Sequence, residues 1–459
     1  MKVLLIYPPF KVGSGMGKVM LSPPLSLMQL AAMIPDHDVE ILDLNVNPFM
    51  QVSEIEQKIA KADLVGIATM TTGLNVVLKL CKIAKRNGVT TVLGGFHPTL
   101  KPDVMRYPDV DYIVRGEGEY TFKELVEGVS PSEILGLGYR ANGGYQLNEP
   151  RPFIQNLDTL PYPRKDLVDY SKYHYLWNPA DVIESSRGCP FDCKFCCVTK
   201  FYCRTYRKKS PLRVVKEIAR VPKKTKLIFF VDDNFTLDYK RVMKICDLIQ
   251  EYGFHKKYMF VCQSRVDDIA KHPDMVKKMA KSGFICYFLG FESFKQMSLN
   301  SMNKQIKLHQ AKNAMTLIHK NGMIVFGSFI IGNIGETRED TLKTFQLMKE
   351  LQIDIMMTNP LTPFPGTRLW EEAVANGWVD KDFDWASWDF DVMMGTPDLS
   401  IEEIKELLEY SYRFFYKDIG YFLFGKKLLR LMQPKYRWFW KMAPTFLMKG
   451  LKNFFIKID

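Results

Sequence analysis

The chain has 459 residues, 47% of them hydrophobic and 25% charged, a make-up that fits two to four folded domains and excludes disordered, collagen-like and disulfide-scaffold chains. No apolar run reaches the ~18 residues of a membrane span, and the opening Met1-Lys2-Val3-Leu4-Leu5-Ile6-Tyr7-Pro8-Pro9 does not read as an export signal. With nine cysteines, an odd number, a cytoplasmic protein is expected, its cysteines being metal ligands or core residues. Of the net charge of +12, most comes from Ser411 to Asp459, where eleven Lys or Arg face two Asp; the rest is near balance, so no nucleic-acid surface is expected.

Residues 1–130 alternate short apolar runs with helical patterns. Strands are predicted at Lys2–Tyr7, Val39–Asp43, Leu64–Thr69, Thr90–Leu93 and Tyr112–Val114. Helices are predicted at Leu25–Ile34, Glu54–Lys61, Asn75–Arg86 and Tyr120–Glu127. This alternation implies a Rossmann-like parallel sheet covered on both faces. Residues 131–175, with Pro, Gly and Asn and little periodicity, read as a linker with a turn at Ala141-Asn142-Gly143-Gly144.

A second alternating series fills residues 176–395. Its strands are predicted at Asp181–Ser186, Leu227–Val231, Tyr258–Gln263, Ile285–Phe291, Ile324–Ile331 and Asp354–Asn359. Six βα units make a partial, open (β/α)6 barrel rather than the closed eight-stranded form. Residues 396–459 are basic and aromatic and are predicted to be helical. The fold class is therefore α/β, with a helical tail.

The sharpest motif is Arg187-Gly188-Cys189-Pro190-Phe191-Asp192-Cys193-Lys194-Phe195-Cys196. Three thiolates on one loop can converge on one metal centre, either an iron–sulfur cluster or, with Cys197 or Cys203 as fourth ligand, zinc. Three ligands leave one iron of a cubane open to substrate or cofactor. The loop follows a strand that opens a βα series, where barrel active sites lie. Later strands end in polar groups facing the same mouth: Asp232-Asp233-Asn234, Gln263-Ser264-Arg265, Gly290-Phe291-Glu292 and Gly332-Asn333-Ile334-Gly335. Arg265 can pair a carboxylate, Glu292 an ammonium or ribose hydroxyls, and the Gly332/Gly335 turn lets backbone approach a flat ring. Asp232 reads equally as a cofactor contact or as one of a group in which Asp233 or Asn234 caps a helix.

On the cysteine spacing, with aromatic Phe195 before the last cysteine, and on these strand ends, the chain resembles the radical S-adenosylmethionine superfamily. The resemblance implies a 4Fe–4S cluster on Cys189, Cys193 and Cys196, with S-adenosylmethionine chelating the fourth iron. Reductive cleavage to methionine and a 5′-deoxyadenosyl radical would follow. It also implies cofactor contacts from Phe195, Asp232, Arg265, Glu292 and Gly332. Cys81, Cys246, Cys262 and Cys286 read as small core residues.

The strand ends of residues 1–130 include Thr69-Met70-Thr71-Thr72, Gly94-Gly95-Phe96-His97 and Arg115-Gly116-Glu117-Gly118-Glu119. Glycine pairs let a bulky ligand lie against backbone. No G-x-G-x-x-G follows the first strand, so a dinucleotide is disfavoured. This region looks like the cobalamin-binding domain that precedes many radical S-adenosylmethionine cores. The resemblance implies a benzimidazole tail near Thr69, Gly94 and Gly95, with Glu117 also at the site. Asp-x-His-x-x-Gly is absent, so cobalt would lack a histidine below it; His97 is either a role-free loop residue or a contact to the corrin tail.

The resemblance implies methylation of an unactivated carbon, and the basic, aromatic tail would suit a hydrophobic, lipid- or pigment-like substrate. The alternative is a radical cyclisation like that of the anaerobic magnesium-protoporphyrin ester cyclase, and the contrasting class is a non-enzymatic iron–sulfur or cobalamin sensor. A ferredoxin or flavodoxin would supply electrons. Trp385, Trp388 and Phe390 either wall the substrate entrance or pack in the core. On a helical wheel, Phe446 to Lys457 separates an aromatic face from a lysine face. The tail then either lies on the inner membrane surface or packs on the barrel.

Overall fold

The computed structural model of the chain describes residues 1–9, 20–175, 178–416 and 430–439. The N-terminal sheet has the spatial order Asp38–Asp43, Lys2–Tyr7, Leu64–Ala68, Thr90–Gly94, Tyr112–Val114, followed by Leu137–Ala141 and Gly144–Leu147. The first five strands are parallel. The order reverses between Lys2–Tyr7 and its neighbours, so the crevice at their carboxyl ends is the natural ligand position of such a sheet. Val3 and Leu5 pack on one face, Leu4 and Ile6 on the other, which explains the uninterrupted apolar run.

The expected linker is only partly one. Leu137–Ala141 and Gly144–Leu147 form an antiparallel hairpin that extends the sheet. Its turn falls at the expected place, with Asn142 and Gly143 both at positive φ (51° and 78°), as a two-residue hairpin turn requires.

In the second sheet six parallel strands follow chain order: Asn178–Ile183, Leu227–Phe230, Met259–Ser264, Phe284–Glu292, Ile324–Ile331 and Ile355–Pro360. Ile228 and Phe230 face the helices, and Leu227 and Phe229 face the concave side. The first edge is extended by His174–Tyr175 and then by Met20–Leu21, both antiparallel. The other edge is closed by the helix Ile401–Tyr416. The Tyr416 hydroxyl donates to the Met356 carbonyl (2.8 Å) and accepts from the Met356 N–H (3.0 Å), satisfying an edge strand's backbone.

Residues 430–439 pack on the barrel. Leu431 and Tyr436 are buried against Val182, Phe229 and Phe326, and Trp438 donates its indole N–H to the Gly322 carbonyl at 2.9 Å. The helix expected at Phe446–Lys457 lies outside the described residues. Among the described residues no helix is long and apolar enough to cross a membrane.

Candidate active site

Two cavities open at strand carboxyl ends, one per sheet. The barrel cavity, about 380 Å³, is lined by Cys189, Cys193, Phe195, Cys196, Asp233, Arg265, Glu292, Lys304 and Phe390, among others. Gly188 holds φ at +82°, and a Cβ there would sit 2.3 Å from the Thr205 carbonyl oxygen, so only glycine permits this entry into the cysteine loop. Asp233 accepts the Gly188 N–H at 3.0 Å; burial, with Asp232 beside it, pushes its carboxyl up to about 7.

Asp232 is not in the cavity. It is buried beneath the loop, accepting from the Ser185 N–H (3.0 Å), the Ser185 hydroxyl (2.6 Å) and the Ser186 hydroxyl. Two adjacent strand-end carboxylates point opposite ways, and the one that reaches the cavity is Asp233. Gly332 is also elsewhere: a Cβ on it would meet Ile404 at 2.7 Å, so its missing side chain makes room for the C-terminal helix rather than for a flat ring.

Arg265 reaches the cavity with its guanidinium 3.5 Å above the Phe191 ring and 3.9 Å from the Cys193 sulfur. It donates to Asp267 (2.9 Å) and to the Lys304 carbonyl (2.7 Å), which fix its plane. Glu292 occupies a break in strand register at φ +62°, and Lys304 donates to its carboxylate at 2.6 Å. Burial disfavours the Lys304 ammonium, but Glu292 and Cys193 together outweigh it and its pKa is raised. Sequence reasoning missed Lys304, which follows a short helix rather than a strand.

Trp385 and Trp388 are core residues, packed in the cluster that holds Leu4, Ile67 and Leu93 of the N-terminal sheet. Phe390, two residues on, lines the cavity at φ +58° and touches Trp388 with ring centroids 5.6 Å apart.

The N-terminal cavity, about 350 Å³, lies in the crevice of the first sheet, walled by Leu5, Leu27, Thr69, Gly94, Gly95 and Phe122 and also by Glu117, Glu119, Glu184 and Arg187. Gly95 holds φ at +115°, and a Cβ there would stand 2.9 Å from the Thr69 carbonyl oxygen. His97 does not line it. Its ring is buried, bonded to the Thr71 hydroxyl at 3.1 Å, and burial lowers its pKa to about 4. Glu117 borders the cavity, but its carboxylate is taken up by Arg187 (2.7 Å), Arg207 (2.7 Å) and the Ile154 N–H (2.7 Å). None of the seven histidines lines either cavity.

Residues 183–348 match the model of the radical SAM superfamily, and residues 20–126 that of the B12 binding domain. An uncharacterized methyltransferase of Pyrococcus horikoshii is 37% identical over 91% of this chain and 92% of its own length. The chain belongs to the cobalamin-binding radical S-adenosylmethionine enzymes. The anaerobic magnesium-protoporphyrin IX monomethyl ester cyclase of Rubrivivax gelatinosus is 30% identical over 91% of this chain and 77% of that one. The cobalamin-dependent S-adenosylmethionine radical enzyme OxsB shares the fold, with a TM-score of 0.72 at 17% identity, over 98% of this chain and 71% of that one.

The cofactors of this enzyme are a 4Fe–4S cluster, S-adenosylmethionine and cobalamin. The residues present fit them. Cys189, Cys193 and Cys196 line one cavity from a single loop, with the Arg265 guanidinium 3.9 Å from the Cys193 sulfur, a thiolate donor set that suits an iron–sulfur centre. Among the described residues no three His, Cys, Asp or Glu side chains are arranged to hold a single ion. The other cavity offers glycine-lined backbone and apolar side chains, which suit a flat heteroaromatic tail.

Proposed function

We propose that the enzyme transfers a methyl group to an unactivated carbon of a hydrophobic, lipid- or pigment-like substrate. Cys189, Cys193 and Cys196 hold the cluster. Phe195, Arg265, Glu292 and Lys304 hold S-adenosylmethionine. Thr69, Gly94 and Gly95 receive the cobalamin tail. The cluster supplies the electron that cleaves S-adenosylmethionine, and cobalamin carries the methyl group.

The observation that carries this reading is the shared barrel mouth. Cys189, Cys193 and Cys196 face Arg265 and the Glu292–Lys304 pair across one cavity, whose far wall is Leu361, Phe364 and Phe390. Arg265, fixed by Asp267, keeps a positive charge beside the cysteine sulfurs. The Glu292 carboxylate, aimed by the register break, has one oxygen on Lys304 and can receive an ammonium or hydroxyls with the other. Phe364 and Phe390 exclude water from the mouth and offer apolar area to a large substrate. The methyltransferase relative and the pigment named in the cyclase relative support this choice.

The test is anaerobic reconstitution with cobalamin and methyl-labelled S-adenosylmethionine, offered a lipid and pigment extract. Label in a hydrophobic product supports methyl transfer. An unlabelled, dehydrogenated product would support the cyclase alternative, which the 30% identical relative favours.

A ferredoxin or flavodoxin is the proposed electron donor. Peripheral membrane contact is proposed for the basic tail, whose charge excess sits beyond Ser411. Flotation with anionic vesicles, lost on deletion after Tyr416, would support it; equal flotation of the truncated chain would exclude it.

A further inference from the structure

The cysteine loop is closed at its base by a two-stranded ribbon, Ser186–Arg187 against Arg207–Lys208, in which Arg187 and Arg207 are directly paired. All three cysteines lie between those arginines. Both guanidiniums end on the same carboxylate, Glu117, at 2.7 Å. Arg187 also donates to Glu119 at 2.6 Å and to Glu184 at 2.8 Å, so one guanidinium holds three carboxylates from two domains. Every member except Glu184 is under 10% exposed.

The same groups form a wall of the N-terminal cavity. Glu117, Glu119, Glu184 and Arg187 all line it, and Arg187 is only two residues from Cys189. What fills that cavity therefore packs against the back of the cysteine loop. Burial raises the pKa of Glu184, whereas at Glu119 the same effect is outweighed by Arg187 together with a backbone hydrogen bond and Lys209, which hold it low. The charges depend on each other and on the arginine's placement.

We propose that Arg187 is a positioning residue that couples the two cavities: a benzimidazole-bearing corrinoid in the N-terminal cavity fixes the Arg187–Glu117–Glu119 clasp, and the clasp fixes the loop that carries the cluster. The inference rests on the assignment of the cavities given above. Because coupling is reciprocal, the cluster must tighten corrinoid binding by the factor by which the corrinoid stabilises the cluster. A clasp that merely glued domains together would alter both affinities without making either depend on the other.

The experiment measures the cobalamin dissociation constant of the full chain by absorbance titration, with the cluster loaded and with it removed. The wild type should bind at least about fivefold tighter when loaded, the low end of usual coupling factors. Glu119→Gln keeps the side-chain shape and removes the charge that Arg187 Nη2 reads. Whatever its effect on either affinity alone, the ratio should fall below about two on the same scale. Glu372→Gln breaks the Lys194–Glu372 pair (2.9 Å), which touches the cysteine loop away from the clasp, and should keep the wild-type ratio. As a second readout, cobalamin should change the paramagnetic resonance of the reduced cluster in the wild type and not in Glu119→Gln. A ratio of one in the wild type, or an undiminished ratio in Glu119→Gln, would overturn the coupling while leaving the cavity assignments intact. No cobalamin binding by any form would overturn the N-terminal assignment and the clasp with it.

Discussion

The two cavities hold their shape by different means. In the barrel, charged groups do it: Asp267 and the Lys304 carbonyl orient Arg265, Lys304 pairs Glu292, and Asp233 grips the loop backbone. In the N-terminal sheet, the crevice side of the cavity is made by missing side chains at Gly94, Gly95, Gly116 and Gly118, beside apolar residues. The difference matches the ligands. A charged amino-acid sulfonium and a metal cluster call for fixed counter-charges, whereas a flat heteroaromatic tail calls for room along backbone. Each site should therefore fail in its own way when altered.

The largest structural effect is expected at Gly188. Alanine there adds a backbone clash to a left-handed φ, and it should cost more than about 3 kcal/mol locally and abolish cluster retention. Iron content after anaerobic reconstitution checks this; full iron loading would show that the loop relaxes.

Next is His97, buried in the short helix Phe96–Leu100 against the Thr71 hydroxyl and outside the cavity lining. Its pKa falls from 6.5 to about 4 on folding, so the unfolded chain takes up a proton first as pH drops. Its contribution to stability is full above pH 6.5 and is lost as pH falls through 4, about 3 kcal/mol in all. His97→Asn should flatten the dependence of the N-terminal melting temperature over that window. An unchanged slope would remove His97 as its source.

A smaller effect is expected at Gly116, whose φ is +76° but whose Cβ direction is open to 4 Å. Alanine there should cost about 1 kcal/mol in melting experiments, against the larger loss at Gly188. Equal losses at the two positions would erase the distinction between strain and collision.

Most of this architecture was legible in the chain. Strands such as Lys2–Tyr7 and Ile324–Ile331 appear where apolar runs predict them, because strands buried on both faces leave no other pattern. The hairpin Leu137–Leu147 was hidden because its outer strand, Gly144–Leu147, is only four residues long, with Tyr145 and Leu147 alone to mark an apolar face and all four positions exposed. Asp232 and Asp233 are neighbours of one chemistry, and only strand direction separates the loop support from the cavity wall. Gly332 makes room for Ile404, and Trp385 joins the core cluster that holds Leu93; both bring distant segments together, with no local trace. Lys304 and the Arg187 clasp depend on long-range ion pairing, which spacing does not encode.

The most direct test of the account is 5′-deoxyadenosine formation from S-adenosylmethionine by anaerobically reconstituted, chemically reduced protein. The wild type and Cys203→Ala should both form it, since Cys203 is exposed and does not line the barrel cavity. Cys189→Ala, Cys193→Ala and Cys196→Ala should each form none above the protein-free background. No 5′-deoxyadenosine from the wild type, or wild-type amounts from Cys196→Ala, would contradict the placement of the reaction in the barrel cavity.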